Sequence, residues 1–267
     1  MSSTLKATRV IDRAWVRWTI GMAATLAALG VWELVGRSGR VIFFEPFSVA
    51  ATGAWDLVSG PQLGSDVLPS TGRAAAGFFA GSALGVLAGL PLGYFRGVDP
   101  WVRPVLEFLR ATPVPAVLPV AVLTFGPNSG TRVGLIALGA FWPVLLNTMD
   151  GARAVDRGYV DAARAVHVSR LRVVTRVIWP ASLPQVFAGL RIALGISLIM
   201  MVISEMVAST GGLGFFVLQA QRTYAFPDMY AGVLVLGVLG GLFTVLFTVI
   251  EHRVLAWYRG QKGIGRG

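Results

Sequence analysis

Six long apolar runs, at about 18–35, 73–95, 104–125, 131–149, 184–207 and 229–252, dominate this chain of 267 residues. Each approaches the roughly 20 residues a helix needs to cross a hydrocarbon layer about 30 Å thick. In lipid the backbone must satisfy its own hydrogen bonds, so runs of this kind fold as helices. Together they leave room for short loops and one larger insert, but not for a second soluble domain. Charge agrees, since only 13% of residues are charged where soluble domains carry about 25%. The expected class is all-α integral membrane, with about six transmembrane helices.

Lys6, Arg9, Arg13 and Arg17 precede the first run, a pattern that secretory signals share. The run is long for a signal core, and Glu33, Arg37 and Arg40 stand where a small-x-small cleavage site would follow. It reads as a retained first span over 18–35. Lysine and arginine accumulate in cytoplasmic segments. With the N-terminus inside, segments 1–17, 96–103, 150–183 and 253–267 hold 16 of them, and the exterior loops hold 5. The net charge of +10 is thus orientation charge rather than a sign of nucleic-acid binding. The predicted layout is a cytoplasmic tail at 1–17, an extracytoplasmic segment at 36–70, a core over 71–253 and a cytoplasmic tail at 254–267. A short interfacial helix and a turn are expected within 36–70.

Two spans carry marked backbone chemistry. Gly77, Gly81, Gly85, Gly89 and Gly93 recur every fourth residue, lining one helical face along which another helix can approach closely. Pro113, Pro115 and Pro119 fall within seven residues, and each removes an amide donor. They predict either a bent helix lining a water-filled path or a distorted start to the third span.

Several chemistries are missing. The only lysines are Lys6 and Lys262, and no phosphate loop occurs. There are no cysteines for disulfides or thiolates. His167 and His252 lie in different loops without ligand-spaced carboxylates, so no metal site is expected. No nucleophile elbow or serine–histidine–acid arrangement is visible. Neither catalytic nor metal-ligating residues are assigned, and the chain is not expected to be an enzyme.

Residues 150–183 break into polar sequence with six arginines. A helix starting near Val160 would place Asp161 in its first turn, where a carboxylate favours the dipole. Ala162, Ala163 and Ala165 are strong helix formers small enough for close docking. His167, Val168 and Ser169 read as a turn. A second helix over Leu171–Ile178 is expected to end at Trp179-Pro180, making a compact cytoplasmic knob.

This knob resembles the EAA loop of ABC-importer permeases: Glu-Ala-Ala, a Gly four residues after the second Ala, and a terminal Pro. Asp161-Ala162-Ala163, His167, Val177 and Pro180 stand at that spacing. Pro100–Pro119, the run Leu135–Thr148, Ala188-Gly189-Leu190-Arg191 and Ser204-Glu205-Met206 are similar to the permeases for taurine, alkanesulfonate, nitrate and thiamin-precursor pyrimidines. The resemblance covers roughly 45–255. It implies a type I importer in a bacterial cytoplasmic (inner) membrane: two permease copies, a cytoplasmic ATPase dimer and an extracytoplasmic solute-binding protein. ATP and Mg would bind the ATPase, and no cofactor this chain. The ATPase-coupling residues implied are Asp161, Ala162, Ala163, Arg164, His167, Val177 and Pro180. Asp replaces Glu at 161, with shorter reach. His replaces Gly at 167, where the turn calls for left-handed backbone; histidine is among the non-glycine residues enriched there.

For a path or gate the candidates are Pro113, Pro115, Asn147, Arg191, Ser204 and Glu205. Ionisable residues within spans usually face a bundle interior or cavity. Arg191 and Glu205 share a helix face about 21 Å apart, too far to pair with each other. Asn147 and Thr148 are expected to end the fourth span, lining an inner mouth or capping the helix. Glu107 and Arg110, three apart, are a candidate ion pair. Two other readings compete with the importer permease. An ATP-independent secondary transporter or channel would show an inverted repeat and broken helices; no repeat is visible. A scaffold would use the insert to recruit a cytosolic protein without transport.

Overall fold

The computed structural model describes residues 14–258, and every regular element among them is helical. The outer parts of both predicted tails, 1–13 and 259–267, lie outside the described residues. In chain order the helices are α1 (Ala14–Arg37), α2 (Phe47–Ser59), α3 (Leu68–Tyr94), α4 (Asp99–Ala111), α5 (Val114–Phe125) and α6 (Ser129–Arg153). Then come α7 (Arg157–Ala165), α8 (Arg170–Val173), α9 (Trp179–Ala208), α10 (Leu213–Arg222) and α11 (Phe226–Val254). Five helical stretches are long and apolar enough to span a membrane, and the α4–α5 pair makes a sixth crossing if taken together.

The glycine stripe packs α3 against α6. All five glycines are buried. A Cβ on Gly81 would stand 2.1 Å from the Ala137 carbonyl oxygen, and one on Gly93 2.5 Å from that of Met149. Small residues let backbones meet where lipid offers no hydrophobic drive to association. The other side of α6 meets α9, where Gly189 lies against Pro143 and Val144, and Gly139 against Met200. Helix α6 is thus the central post, with α3 and α9 on either side.

Proline shapes the remaining elements in two ways. Between α4 and α5 the chain turns by 80°. Thr112 (ψ 119°) and Pro113 (ψ 116°) are both extended, as expected of a residue before proline and of a ring with no donor for a helical bond. The run expected at 104–125 is therefore a broken span. At Pro69 and Pro180 the helix survives. Each proline follows a π turn, Leu63–Val67 or Val174–Ile178, in which the N–H of Leu68 or Trp179 reaches the carbonyl five residues back. The widened turn carries the chain past a ring that would otherwise clash. Hence Trp179-Pro180 does not end the second knob helix, as the sequence led us to expect. Residues Arg170–Ala208 form one 39-residue apolar stretch, about 58 Å long.

The first span sits apart, with none of its apolar window buried. It is held by a hairpin to α2. Trp32 Nε1 donates to the Glu45 carbonyl at 2.9 Å, and the Glu33 carboxylate accepts from the Ser48 N–H and hydroxyl, both at 2.9 Å.

Candidate coupling surface and membrane path

The insert folds as a helix, a tight turn and the foot of the long α8–α9 stretch. Helix α7 begins at Arg157, one turn earlier than predicted, and Asp156 accepts from the Gly158 N–H at 2.8 Å as its cap. Asp161 therefore sits in the second turn, beyond the reach of the dipole effect. At the other end His167 takes φ +56°, and the Val168 N–H reaches the Ala163 carbonyl at 3.0 Å. That is a Schellman closure with histidine at the left-handed position usually held by glycine. Ala163 and Val168, which this closure brings together, pack with Val160 and Val177 against Ala152, Val155, Val173 and Ile178.

This packing divides the predicted coupling residues. Asp161, Ala162 and His167 are exposed, whereas Ala163, Val177 and Pro180 are partly covered by the bundle. The side chain of Arg164 lies outside the described residues. Asp161 lines a cleft of about 260 Å³ with Tyr94, Arg157 and Val160. Sequence reasoning missed the apolar ridge on the outer side of the knob. Tyr159, Val166 and Leu171 are each about 70% exposed. The spacing of Tyr159, Ala162 and Val166 (i, i+3, i+7) was the available signal.

The path candidates fall into different environments. Pro113 and Pro115 are exposed at the α4–α5 break. Around them α4 and α5 present Trp101, Phe108, Leu123 and Phe125 uncovered. Behind α5 a cavity of about 610 Å³ is lined by Val117, Phe125, Asn128, Thr131, Gly134 and Leu138. Asn147 and Thr148 do not end their helix, which runs on to Arg153. Asn147 instead donates to the Pro143 carbonyl at 2.8 Å and accepts from Gln185 at 3.3 Å, tying α6 to α9. Glu107 lies 4.0 Å from Arg103, which also reaches Asp150 at 3.1 Å; neither contact is the expected Glu107–Arg110 pair.

Arg191 and Glu205 each pair with another helix. Arg191 meets Glu251 of α11. Glu205 is fully buried, and its Oε1 accepts from Arg73 Nε at 3.0 Å and from a terminal nitrogen at 2.7 Å. Its Oε2 accepts from the Ser70 hydroxyl at 2.8 Å and the Gly214 N–H at 3.0 Å. With both oxygens satisfied, the carboxylate meets the condition under which a buried charge is tolerable. The turn after α9 wraps this pair. A Cβ at Gly212 (φ +109°) would stand 2.6 Å from the Arg73 guanidinium and 2.7 Å from the Glu205 carboxylate. Ser204 is buried and donates back to the Met201 carbonyl at 3.0 Å. Arg73 and Ser70 escaped the sequence reading, because nothing in a single chain links positions 135 and 132 residues apart.

Comparison with known proteins accords with this architecture. Residues 81–259 match the model of the family described as binding-protein-dependent transport system inner membrane component. The putative aliphatic sulfonates transport permease protein SsuC of Bacillus subtilis is 30% identical over 249 residues, covering 92% of this chain and 90% of that protein. The nitrate import permease protein NrtB of Leptolyngbya laminosa is 31% identical over 245 residues, covering 87% and 86%. Among solved structures, an inward-facing form of the MetNI methionine ABC transporter superposes with a TM-score of 0.61 at 21% identity. The match covers 75% of this chain and 96% of that one.

Proposed function

Since the chain belongs to the family of binding-protein-dependent transport system inner membrane components and is a permease component of an ABC importer, we propose that its knob is the lever on which a cytoplasmic ATPase dimer acts. The observation that carries this reading is the two-sided construction of residues 157–171. One side is packed into the bundle through Val160, Ala163 and Val168, and the other offers Tyr159, Ala162, Val166 and Leu171. An apolar helical ridge of this kind suits a groove on a partner. Movement of that partner reaches α9 through the packing of Val160, Ala163 and Val168 on the foot of the knob, which is continuous with the long helix.

In this reading ATP and Mg are bound and used by the ATPase, and this chain carries no cofactor. The knob and both termini face the cytoplasm, and a solute-binding protein docks on the opposite side. A second copy of the chain covers the open α4–α5 face and completes the path past Pro113 and Pro115. The cargo is a small solute of the sulfonate, taurine, nitrate or pyrimidine-precursor kind. The SsuC and NrtB relatives support the first and third of these.

The test compares tagged wild type with Tyr159→Glu/Val166→Glu and with Asp161→Lys after gentle solubilisation. All three substituted positions are exposed, so membrane insertion should persist. Wild type should hold a phosphate-loop ATPase in stoichiometric amount, and the variants should lose both it and solute uptake. Uptake and ATPase retention that persist in both variants would sink the lever reading.

A further inference from the structure

Helices α3, α9 and α11 enclose a groove of about 290 Å³ that none of the roles above uses. Its walls include Phe78, Phe79, Phe187, Leu194, Phe243 and Phe247. Two polar features bear on this groove, one in its lining and one beside it; the other lining hydroxyl, that of Ser197, already donates to the Ala193 carbonyl at 2.8 Å. Ser82 faces the groove, is only 6% exposed, and its hydroxyl has no hydrogen-bond partner. A buried hydroxyl without a partner carries a desolvation cost, which an acceptor on a bound molecule would remove.

The second feature is the Arg191–Glu251 pair. Arg191 lies three residues before Leu194, and Glu251 four after Phe247, so the pair falls on the stripes that form the groove walls. The guanidinium gives one terminal nitrogen to Glu251 and stays 58% exposed. Its remaining N–H groups suit a phosphate, for which arginine has the matching fork. Ser82 and Arg191 also lie at similar depth. Gly85, one turn from Ser82, and Gly189, beside Arg191, both pack on Val144.

We propose that this groove holds one glycerophospholipid from the leaflet nearest the knob. The phosphate sits on Arg191, an ester carbonyl accepts from Ser82, and an acyl chain lies among the phenylalanines. Phe79 and Leu246, both largely exposed on the groove rim, form the slot through which the chain enters from the bilayer. Only the naming of the leaflet rests on the orientation proposed above.

The experiment is native mass spectrometry of the detergent-purified complex with its ATPase, after exchange with defined phospholipid. Wild type should keep one phospholipid per permease copy. Leu246→Trp, a change at an exposed position, should block the slot and release the lipid, as should Ala75→Phe. Arg191→Gln should weaken retention about tenfold, as expected for one charge-assisted contact, while binding a neutral diacylglycerol as wild type does. Equal phospholipid retention in wild type and in intact Leu246→Trp complex would overturn the site. Undiminished retention in Arg191→Gln would overturn the assigned headgroup contact. ATPase co-purification in the same samples reads the lever proposal separately.

Discussion

At position 167 the chain needs a left-handed residue to close the end of α7, and it supplies an imidazole at φ +56°. That conformation costs a side-chain-bearing residue about 1–2 kcal/mol, partly offset by the greater freedom glycine loses on folding. His167→Gly should therefore stabilise the knob by about 1 kcal/mol and leave ATPase binding intact. A thermal melt of the purified complex, with the co-purified ATPase quantified alongside, reads both effects. A variant that melts higher but loses the ATPase would show that the imidazole itself touches the partner. The backbone demand at 167 was legible because the resemblance to the EAA loop sets a glycine at that spacing. The partner of Glu205 was not, because Arg73 stands 132 residues away and no local periodicity joins them. The expected helix end at Asn147 was wrong for a similar reason, since the helix runs on to Arg153. The Asn147 side chain bonds to Pro143 and Gln185, and the second of these only the packed neighbour reveals.

Helices were the most readable level, because lipid forces each apolar run to satisfy its own backbone. The four-residue glycine period announced a close contact along α3, though not that α6 would be the partner. The contact leads to a paired test within one helix. At Gly81 an added methyl meets the Ala137 carbonyl oxygen, whereas at Gly72 nothing lies within 4 Å. Gly81→Ala should destabilise by about 1–3 kcal/mol through overpacking. Gly72→Ala should be neutral or stabilise by about 0.5–1 kcal/mol, as alanine does in a helix. Thermal melts should show Gly81→Ala lowered and Gly72→Ala unchanged or raised, and equal shifts would refute tight α3–α6 packing as the cause. Prolines were harder to read, since the same residue breaks the chain at Pro113 and passes unnoticed at Pro180. Pro180 follows a π turn, a backbone state with no residue signature of its own, while Pro143 and Pro184 sit inside helices that simply run on.

For the molecule as a whole, the distribution of arginine suggested an orientation, and hydropathy gave the number of crossings within one. Neither revealed that the crossings differ in standing. Half of the apolar window of α6 is buried inside the chain, and none of that of α1. The first span touches the rest chiefly through Trp32, Glu33 and Gly36 at its α2 end. Among the described residues the apolar clusters that join α3, α6 and α9 contain no residue of α1, so removing 1–40 should leave that packing and the knob in place. The shortened chain should still hold the ATPase, with a melting temperature within about 5 °C of the full chain. Orientation should also persist, because the arginines of 96–103 and 150–183 remain to retain those segments on one side. A reporter fused to the C-terminus checks this in the same cells. If the truncated protein inserts correctly yet no longer forms a complex, α1 must be held against a second copy or another subunit. Its bare apolar surface would then be an assembly face rather than a lipid-facing one.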